Sequence, residues 1–349
     1  MACVGVIANP ASGRDIRRLV AGASVFGNAD KAGMVFRALA GLGAVGVERA
    51  LMMPASGGLS ATVRRQLQAY ASERLDGAAP LPSVEELPMR LTGTANDSTR
   101  AVELMRGAGV AAILVLGGDG THRVVAKHAG EVPLCALSTG TNNSFPELRE
   151  ATVAGLATGL VATGQVAGGA LRREVALQVE LSGGERDVAL VDVAVSAERF
   201  IGARALWRGA DVSELLVTFA NPSAVGLSAV AGLLQPLVRG AGRGLYVALS
   251  PTPEHAGLTL KVPLAPGLVV PVGVSRFHTI GLGEPIALAP GRGCLALDGE
   301  REIERRPDEQ TIVRLVAGPS TIDIDAVMRS AAAERLLSFD ASAQRAPRE

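Results

Sequence analysis

Across roughly the first 165 residues, short apolar runs alternate with stretches of helical spacing, and this alternation restricts the fold more than any other feature. The runs at 3–8, 45–51, 87–92, 110–116 and 132–138 are too short for buried helices and rich in Val, Ile and Leu, so they read as strands. Between them, residues 15–20, 33–39, 60–75, 97–106 and 122–129 read as helices. Ser60 and Asp97-Ser98 are placed to cap two of these, and Gly107-Ala108-Gly109 ends one. Strands that are apolar throughout and separated by helices pair in parallel and carry helices on both faces. The expected first unit is therefore an open parallel α/β sheet domain.

From about Arg172 the pattern changes to short strand-like segments punctuated by Gly, Pro and charged turns. Residues 222–234 are the exception and read as a helix, with Asn221 as cap and Pro222 at its first position. This predicts a β-rich, antiparallel, sandwich-like second domain. A length of 349 residues fits two domains. The expected division is 1–165 (α/β), 166–325 (β-rich) and 326–349, the last comprising a closing helix at 326–337 and a loose tail.

Composition excludes several function classes. Lys+Arg and Asp+Glu are both 34, so the basic excess of a nucleic-acid binder is missing. Aromatic residues, at 3%, are too few for a stacking platform. Cys3, Cys135 and Cys294 are far apart, and the four histidines form no HExxH arrangement, so neither a disulfide framework nor a zinc site is expected. The N-terminus lacks the pattern of a signal peptide. The longest uncharged run, 215–238, contains Asn221-Pro222 and Gln235-Pro236 and reads as a buried soluble segment. A cytoplasmic protein without stable membrane insertion is expected. Base rates among soluble enzymes favour a homo-oligomer.

Three loops could hold chemistry. Gly117-Gly118-Asp119-Gly120-Thr121 directly follows the strand at 110–116 and opens a helix. Glycines let a backbone approach a ligand closely, and a helix N-terminus offers unpaired N–H groups to phosphate. Thr121 adds a hydroxyl. Asp119 would repel a phosphate, so it fits a base or a metal partner better. A plain strand-to-helix turn with Asp119 as cap is the alternative.

The second loop, Ser138-Thr139-Gly140-Thr141-Asn142-Asn143-Ser144-Phe145-Pro146, has hydroxyl, amide or glycine at seven of nine positions, suited to ribose or phosphate contacts. Asn9-Pro10-Ala11-Ser12-Gly13 is the third. All three lie just past strands, at the edge where open α/β sheets bind ligands. The chain has three lysines, none after a glycine, so a GxxxxGK[ST] loop is absent. Residues 41–46 match GxGxxG but follow a helix, the wrong order for a dinucleotide fingerprint. Asp298-Gly299-Glu300 reads equally as a tight hairpin turn or as an acidic contribution to the site. His122 is within reach of a phosphate, and His128 reads as a surface residue.

These loops resemble the signatures of the NAD kinase and diacylglycerol/sphingosine kinase superfamily. Residues 117–123, 138–146, 149–155, 188–193, 200–207 and 296–301 are most similar to its acetoin catabolism protein X branch. The resemblance implies a nucleotide site between the two domains, ATP and Mg²⁺ as cofactors, and NAD or a small-molecule substrate as acceptor. It makes Asp119 the group that activates a hydroxyl. Gly117, Gly118, Gly120, Thr121, Asn9, Ser12, Gly13, Thr139, Gly140, Thr141, Asn142 and Asn143 become nucleotide contacts, and Asp298 and Glu300 metal-side carboxylates. One position departs from the NAD kinase pattern. Val191 stands where those enzymes carry an Asn that contacts the dinucleotide, and valine cannot supply the amide's hydrogen bonds. The expected activity is phosphoryl transfer to a hydroxyl. A nucleotide-binding accessory protein without turnover is the alternative, and a lipid kinase the third reading.

Overall fold

The computed structural model describes residues 1–12, 26–72, 79–140, 143–166, 168–197 and 212–338. Gly13, Thr141, Asn142, the expected helix at 15–20, residue 75, the string at 200–207 and the tail at 341–349 lie outside the described residues.

The N-terminal part contains β1 (Cys3–Ala8), α1 (Asn28–Ala44), β2 (Arg49–Met52), α2 (Leu59–Ser72) and β3 (Ser83–Glu86), then α3 (Ala95–Gly107), β4 (Ala112–Gly117), α4 (Asp119–Ala129), β5 (Leu134–Ser138) and α5 (Ala151–Ala162). Its strands pair in parallel in the order β3-β2-β1-β4-β5. One face packs on α1 and α5 through residues such as Val6, Leu114, Leu39 and Leu160, and the other on α3 and α4 through Ile7, Ile113, Val102 and Val125. Burial on both faces explains the unbroken apolar runs.

Several boundaries differ from the expectation, and the N-cap of α3 is Thr94, with Asp97 and Ser98 inside the helix. The third strand is Ser83–Glu86, not 87–92. It is the sheet's edge, where Ser83, Glu85 and Glu86 are exposed, and the backbone turns after it with Met89 N–H donating to Leu87 C=O. The second strand starts at Arg49 because α1 continues to Ala44 and Gly46 turns the chain at φ +85°. Ser60 sits inside α2, where its hydroxyl accepts the Ala55 N–H at 2.9 Å.

The β-rich part supplies β6 (Leu171–Leu181), β7 (Arg186–Ala189), β8 (Asp192–Ser196), β9 (Val212–Val217), α6 (Ser228–Leu234), β10 (Arg243–Ser250), β11 (Leu258–Ala265), β12 (Leu268–Gly281), β13 (Pro285–Ala287), β14 (Gly293–Leu297), β15 (Glu300–Arg305) and β16 (Thr311–Ile322), with α7 (Ile324–Ala333) closing the chain. An antiparallel sheet of order β11-β12-β10-β9-β8-β14-β15 packs against β6 and β16 through Leu216, Tyr246, Leu295, Leu177 and Val313. Its other face is covered by α6, which is shorter than expected because Gly226, at φ +114°, interrupts the segment.

The strand β16 lies in the first sheet. It pairs in parallel with β5 at Thr321–Leu134 and antiparallel with β6 along most of its length, so that sheet continues as β5-β16-β6-β7. The closing helix α7 then packs into the α1/α5 layer through Val327 and Ala331.

Glycines in the α1–α5 contact serve close packing and have nothing to do with a dinucleotide. A Cβ on Gly155 would lie 2.2 Å from the Ala38 carbonyl oxygen, and one on Gly41 2.3 Å from that of Thr152. Gly155→Ala is therefore expected to destabilise the protein by about 1–3 kcal/mol, since two backbones must separate. At Gly107 the space is open, and Gly107→Ala should be neutral or stabilise by up to about 1 kcal/mol. Urea titration of the two variants checks the contrast.

Candidate functional site

Parallel pairing puts the C-terminal ends of β1, β4 and β5 on one edge, and the three loops meet there. The Asn9 side chain donates from Nδ2 to Thr121 Oγ1 at 2.9 Å and accepts the Ala11 N–H on Oδ1. Ser12 Oγ lies 3.0 Å from Thr139 Oγ1, and Thr139 N–H donates to Gly117 C=O. Within the second loop, Asn143 Nδ2 donates to Ser138 Oγ at 2.7 Å, and Ser138 Oγ donates to Gly140 C=O at 2.6 Å. The structure thus joins Asn9, Ser12, Gly117, Thr121, Thr139, Gly140 and Asn143 in one rim.

Sequence reasoning missed Lys31. It is 1% exposed on α1, and its ammonium donates to the carbonyls of Asn9, Pro10 and Ser12 at 3.1, 3.3 and 2.7 Å. The cation fastens the first loop from beneath. The available signal was a lysine, one of three in the chain, on an otherwise apolar helix face.

The glycine turn works through close approach and not through left-handed backbone. None of Gly117, Gly118 and Gly120 has positive φ. A Cβ on Gly117 would lie 2.6 Å from the Thr121 side chain, and one on Gly118 would lie 2.9 Å from Asn143 Oδ1. Gly120 faces Glu300, whose carboxylate oxygens are 3.6 and 3.7 Å from where its Cβ would be.

Asp119 occupies the first turn of α4, where Gly118 is the N-cap. Its half-buried carboxylate accepts the N–H groups of Ser144 (3.1 and 3.0 Å) and Phe145 (2.7 Å). Two loops separated by 25 residues are thereby tied through one carboxylate, and the helix dipole adds to the stabilisation of its charge. His122 does not face the rim. It is fully buried behind the turn, with Nδ1 on Gly118 C=O at 2.8 Å, and burial pushes its pKa down to about 4.

Asp119, Arg123 and Lys127 recur every fourth residue along the α4 face turned toward the β-rich part. Arg123 is 3.6 Å from Asp187 and 3.5 Å from Asp298, and Lys127 pairs with Asp187. Asp298 and Gly299, at φ 53° and 77°, form the two-residue turn of the β14–β15 hairpin. The Asp298 carboxylate is fully buried and accepts the N–H groups of Leu190, Val191 and Asp192 at 2.9, 2.7 and 3.3 Å. Burial pushes its pKa up to about 6, with Asp119 adding to the rise and Arg123 and the amides opposing it. Asp298 is therefore a structural anchor inside the hairpin, and Glu300 is the member of that pair facing Gly120. Val191 turns its side chain into an apolar cluster with Phe145, Leu190 and Phe219.

Among the described residues, no three His, Cys, Asp or Glu side chains gather as a cation site. A cavity of about 440 Å³ opens between α1 and residues 148–150, lined by Phe26, Asp30, Met34, Arg37 and Glu150 among others, and none of the predicted site residues borders it. Its Arg37 and Glu150 pair with each other at 2.9 Å. No helix among the described residues is long and apolar enough to cross a membrane.

Residues 5–166 match the family profile of the ATP-NAD kinase N-terminal domain, and 175–318 that of the acetoin catabolism protein X C-terminal domain. Acetoin catabolism protein X of Cupriavidus necator is 44% identical over 340 residues, covering 96% of this chain and 93% of that protein. The chain belongs to the acetoin catabolism protein X family. This chain thus joins an N-terminal domain of the ATP-NAD kinase profile to a C-terminal domain of the acetoin catabolism protein X profile. A solved diacylglycerol kinase from Bacillus anthracis str. Sterne superposes with a TM-score of 0.41 and 13% identity, covering 91% of this chain and 96% of that one.

The Asp298 environment sets a pH dependence. Its carboxyl binds a proton more tightly when folded (about 6) than at its ordinary value of 3.8, so its stabilising contribution is complete below about pH 4 and is lost as pH rises through about 6. The stability of the protein relative to its Asp298→Asn variant should fall, on the order of 2 kcal/mol, between pH 4 and 7. Urea unfolding of both proteins across that range measures the difference. The His122 contribution is common to both proteins and cancels.

Proposed function

We propose that the protein is an ATP- and Mg²⁺-dependent phosphoryl transferase that acts on the hydroxyl of NAD or of a small metabolite. The observation that carries this reading is the Asp119 carboxylate, fixed by the Ser144 and Phe145 amides at the mouth of a glycine turn. Phosphoryl transfer depends on positioning and charge neutralisation more than on covalent chemistry. The first amides of α4, with Gly117, Gly118, Gly120 and Thr121, serve as the phosphate cradle. Asn9, Ser12, Gly13, Thr139, Gly140, Thr141, Asn142 and Asn143 serve as ribose and phosphate contacts. Asp119 accepts the proton of the attacking hydroxyl.

Asp119, which precedes Gly120, and Glu300, which faces it, both offer hard carboxylate oxygens of the kind Mg²⁺ takes. Asp298 does not fit that role, because its carboxylate is fully buried between three backbone amides and Arg123, whereas that of Asp119 is half-buried. When bound, Mg²⁺ supplies neutralisation of phosphate charge.

A second reading, nucleotide binding without turnover in acetoin breakdown, is favoured by one observation. Val191 buries an aliphatic side chain and presents no amide toward an acceptor. The experiment is incubation of purified protein with ATP, Mg²⁺ and a panel of acceptors containing NAD, acetoin and diacylglycerol. Acceptor-dependent ADP supports the transferase, with the acceptor identifying its class. Saturable ATP binding without ADP supports the second reading, and no ATP binding overturns both. Asp119→Asn should leave ATP affinity nearly unchanged and lower turnover by roughly 10²–10⁴-fold. Isothermal calorimetry and the ADP assay check the two halves of that expectation.

A further inference from the structure

Phe145, one of the two residues that hold Asp119, is itself held from the β-rich part. Phe145 donates its N–H to Asp119 at 2.7 Å, while its own carbonyl accepts Arg239 Nη1 at 2.7 Å. Arg239 lies in the segment between α6 and β10. Its guanidinium stands 4.6 Å from the centroid of the Phe145 ring and 5.2 Å from that of Phe219. On its remaining side, Nη2 donates to Glu174 Oε1 on β6 at 2.7 Å, and Glu174 also accepts the Thr321 hydroxyl of β16 at 2.7 Å. One guanidinium thus fixes the carbonyl and the ring of Phe145 and is anchored to two strands of the first sheet.

We propose that Arg239 is a positioning residue for Asp119, setting the place of the Phe145 backbone and through it the direction of the carboxylate. The inference rests on the reading of Asp119 as the group serving the acceptor hydroxyl. Pro146 confines Phe145 to extended backbone, so the carbonyl and ring contacts decide where its N–H points. Arginine suits the task because a planar fork can bond a carbonyl and a carboxylate while its face lies on an aromatic ring, which an ammonium cannot reproduce. If packing alone were required, an aliphatic residue between Phe145 and Phe219 would suffice.

Arg239→Met alone leaves Glu174 buried without its main partner and is prone to misfold. The test therefore uses the double variant Glu174→Gln/Arg239→Met, which removes both charges, together with Arg239→Lys. Two readouts are taken: hydrogen exchange at the Ser144 and Phe145 amides, with Leu114 in β4 as reference, and kcat against KM for ATP. In the double variant, exchange at Phe145 should rise about tenfold or more while Leu114 is unchanged. Its kcat should fall roughly 10–100-fold with KM for ATP nearly constant, and Arg239→Lys should recover part of both.

A folded double variant with wild-type exchange at Phe145 and wild-type kcat overturns the proposal. Where the double variant does not fold, Arg239→Lys decides by the same two readouts, and wild-type values for both overturn the proposal. Where the wild-type protein shows no turnover, the transferase reading fails on its own account. The exchange measurement then decides whether Arg239 positions the loop.

Discussion

The strand β16 pairs with β5 on one edge and with β6 on the other, and the geometry at the sheet edge depends on that double pairing. Parallel strands joined by helices would end with an open edge at β5. Filling it with a strand that arrives from the far end of the sequence closes the edge and fixes the β-rich part against the first sheet. Glu300 reaches Gly120, Asp298 reaches Arg123 and Arg239 reaches Phe145 for this reason. All three are remote in sequence from Gly117 and Asp119, and strand register brings them near.

Charge at the junction follows the same logic. The buried or half-buried ions are met by opposite charges or by backbone groups. Lys31 sits under three carbonyls, Asp298 under three amides and beside Arg123, and Glu174 against Arg239 and Thr321. Removing water from such groups is costly unless their hydrogen bonds are replaced, so each ion requires its partner loop to stay in place. The loops at the rim are therefore fastened by electrostatics from within. Desolvation still outweighs the compensation at Asp298, whose pKa stays raised.

Boundaries moved between sequence and structure for separate local reasons. At 83–92 the more apolar segment was the wrong choice of strand, because an edge strand is selected by what it can hydrogen-bond to and not by its own hydrophobicity. At 222–234 the apolar helical spacing was genuine, but Gly226 and the Asx turn in which Asn221 accepts Ser223 N–H took the first residues out of the helix. The glycines of 117–120 were legible as a site of close approach. What approaches them inside the protein, the Thr121 and Asn143 side chains, was not.

The sequence by itself determined a parallel α/β sheet with three polar loops on one edge, because strand polarity and helical connection place those loops together whatever the side chains do. It also determined that a β-rich part follows, since period and turn residues are local properties. Tertiary structure alone decided which backbone amides receive Asp119, that Glu300 and not Asp298 faces Gly120, and that Lys31 and Arg239 fasten the loops. Those choices are made by contacts between residues far apart in the chain, whose register and burial no local pattern encodes.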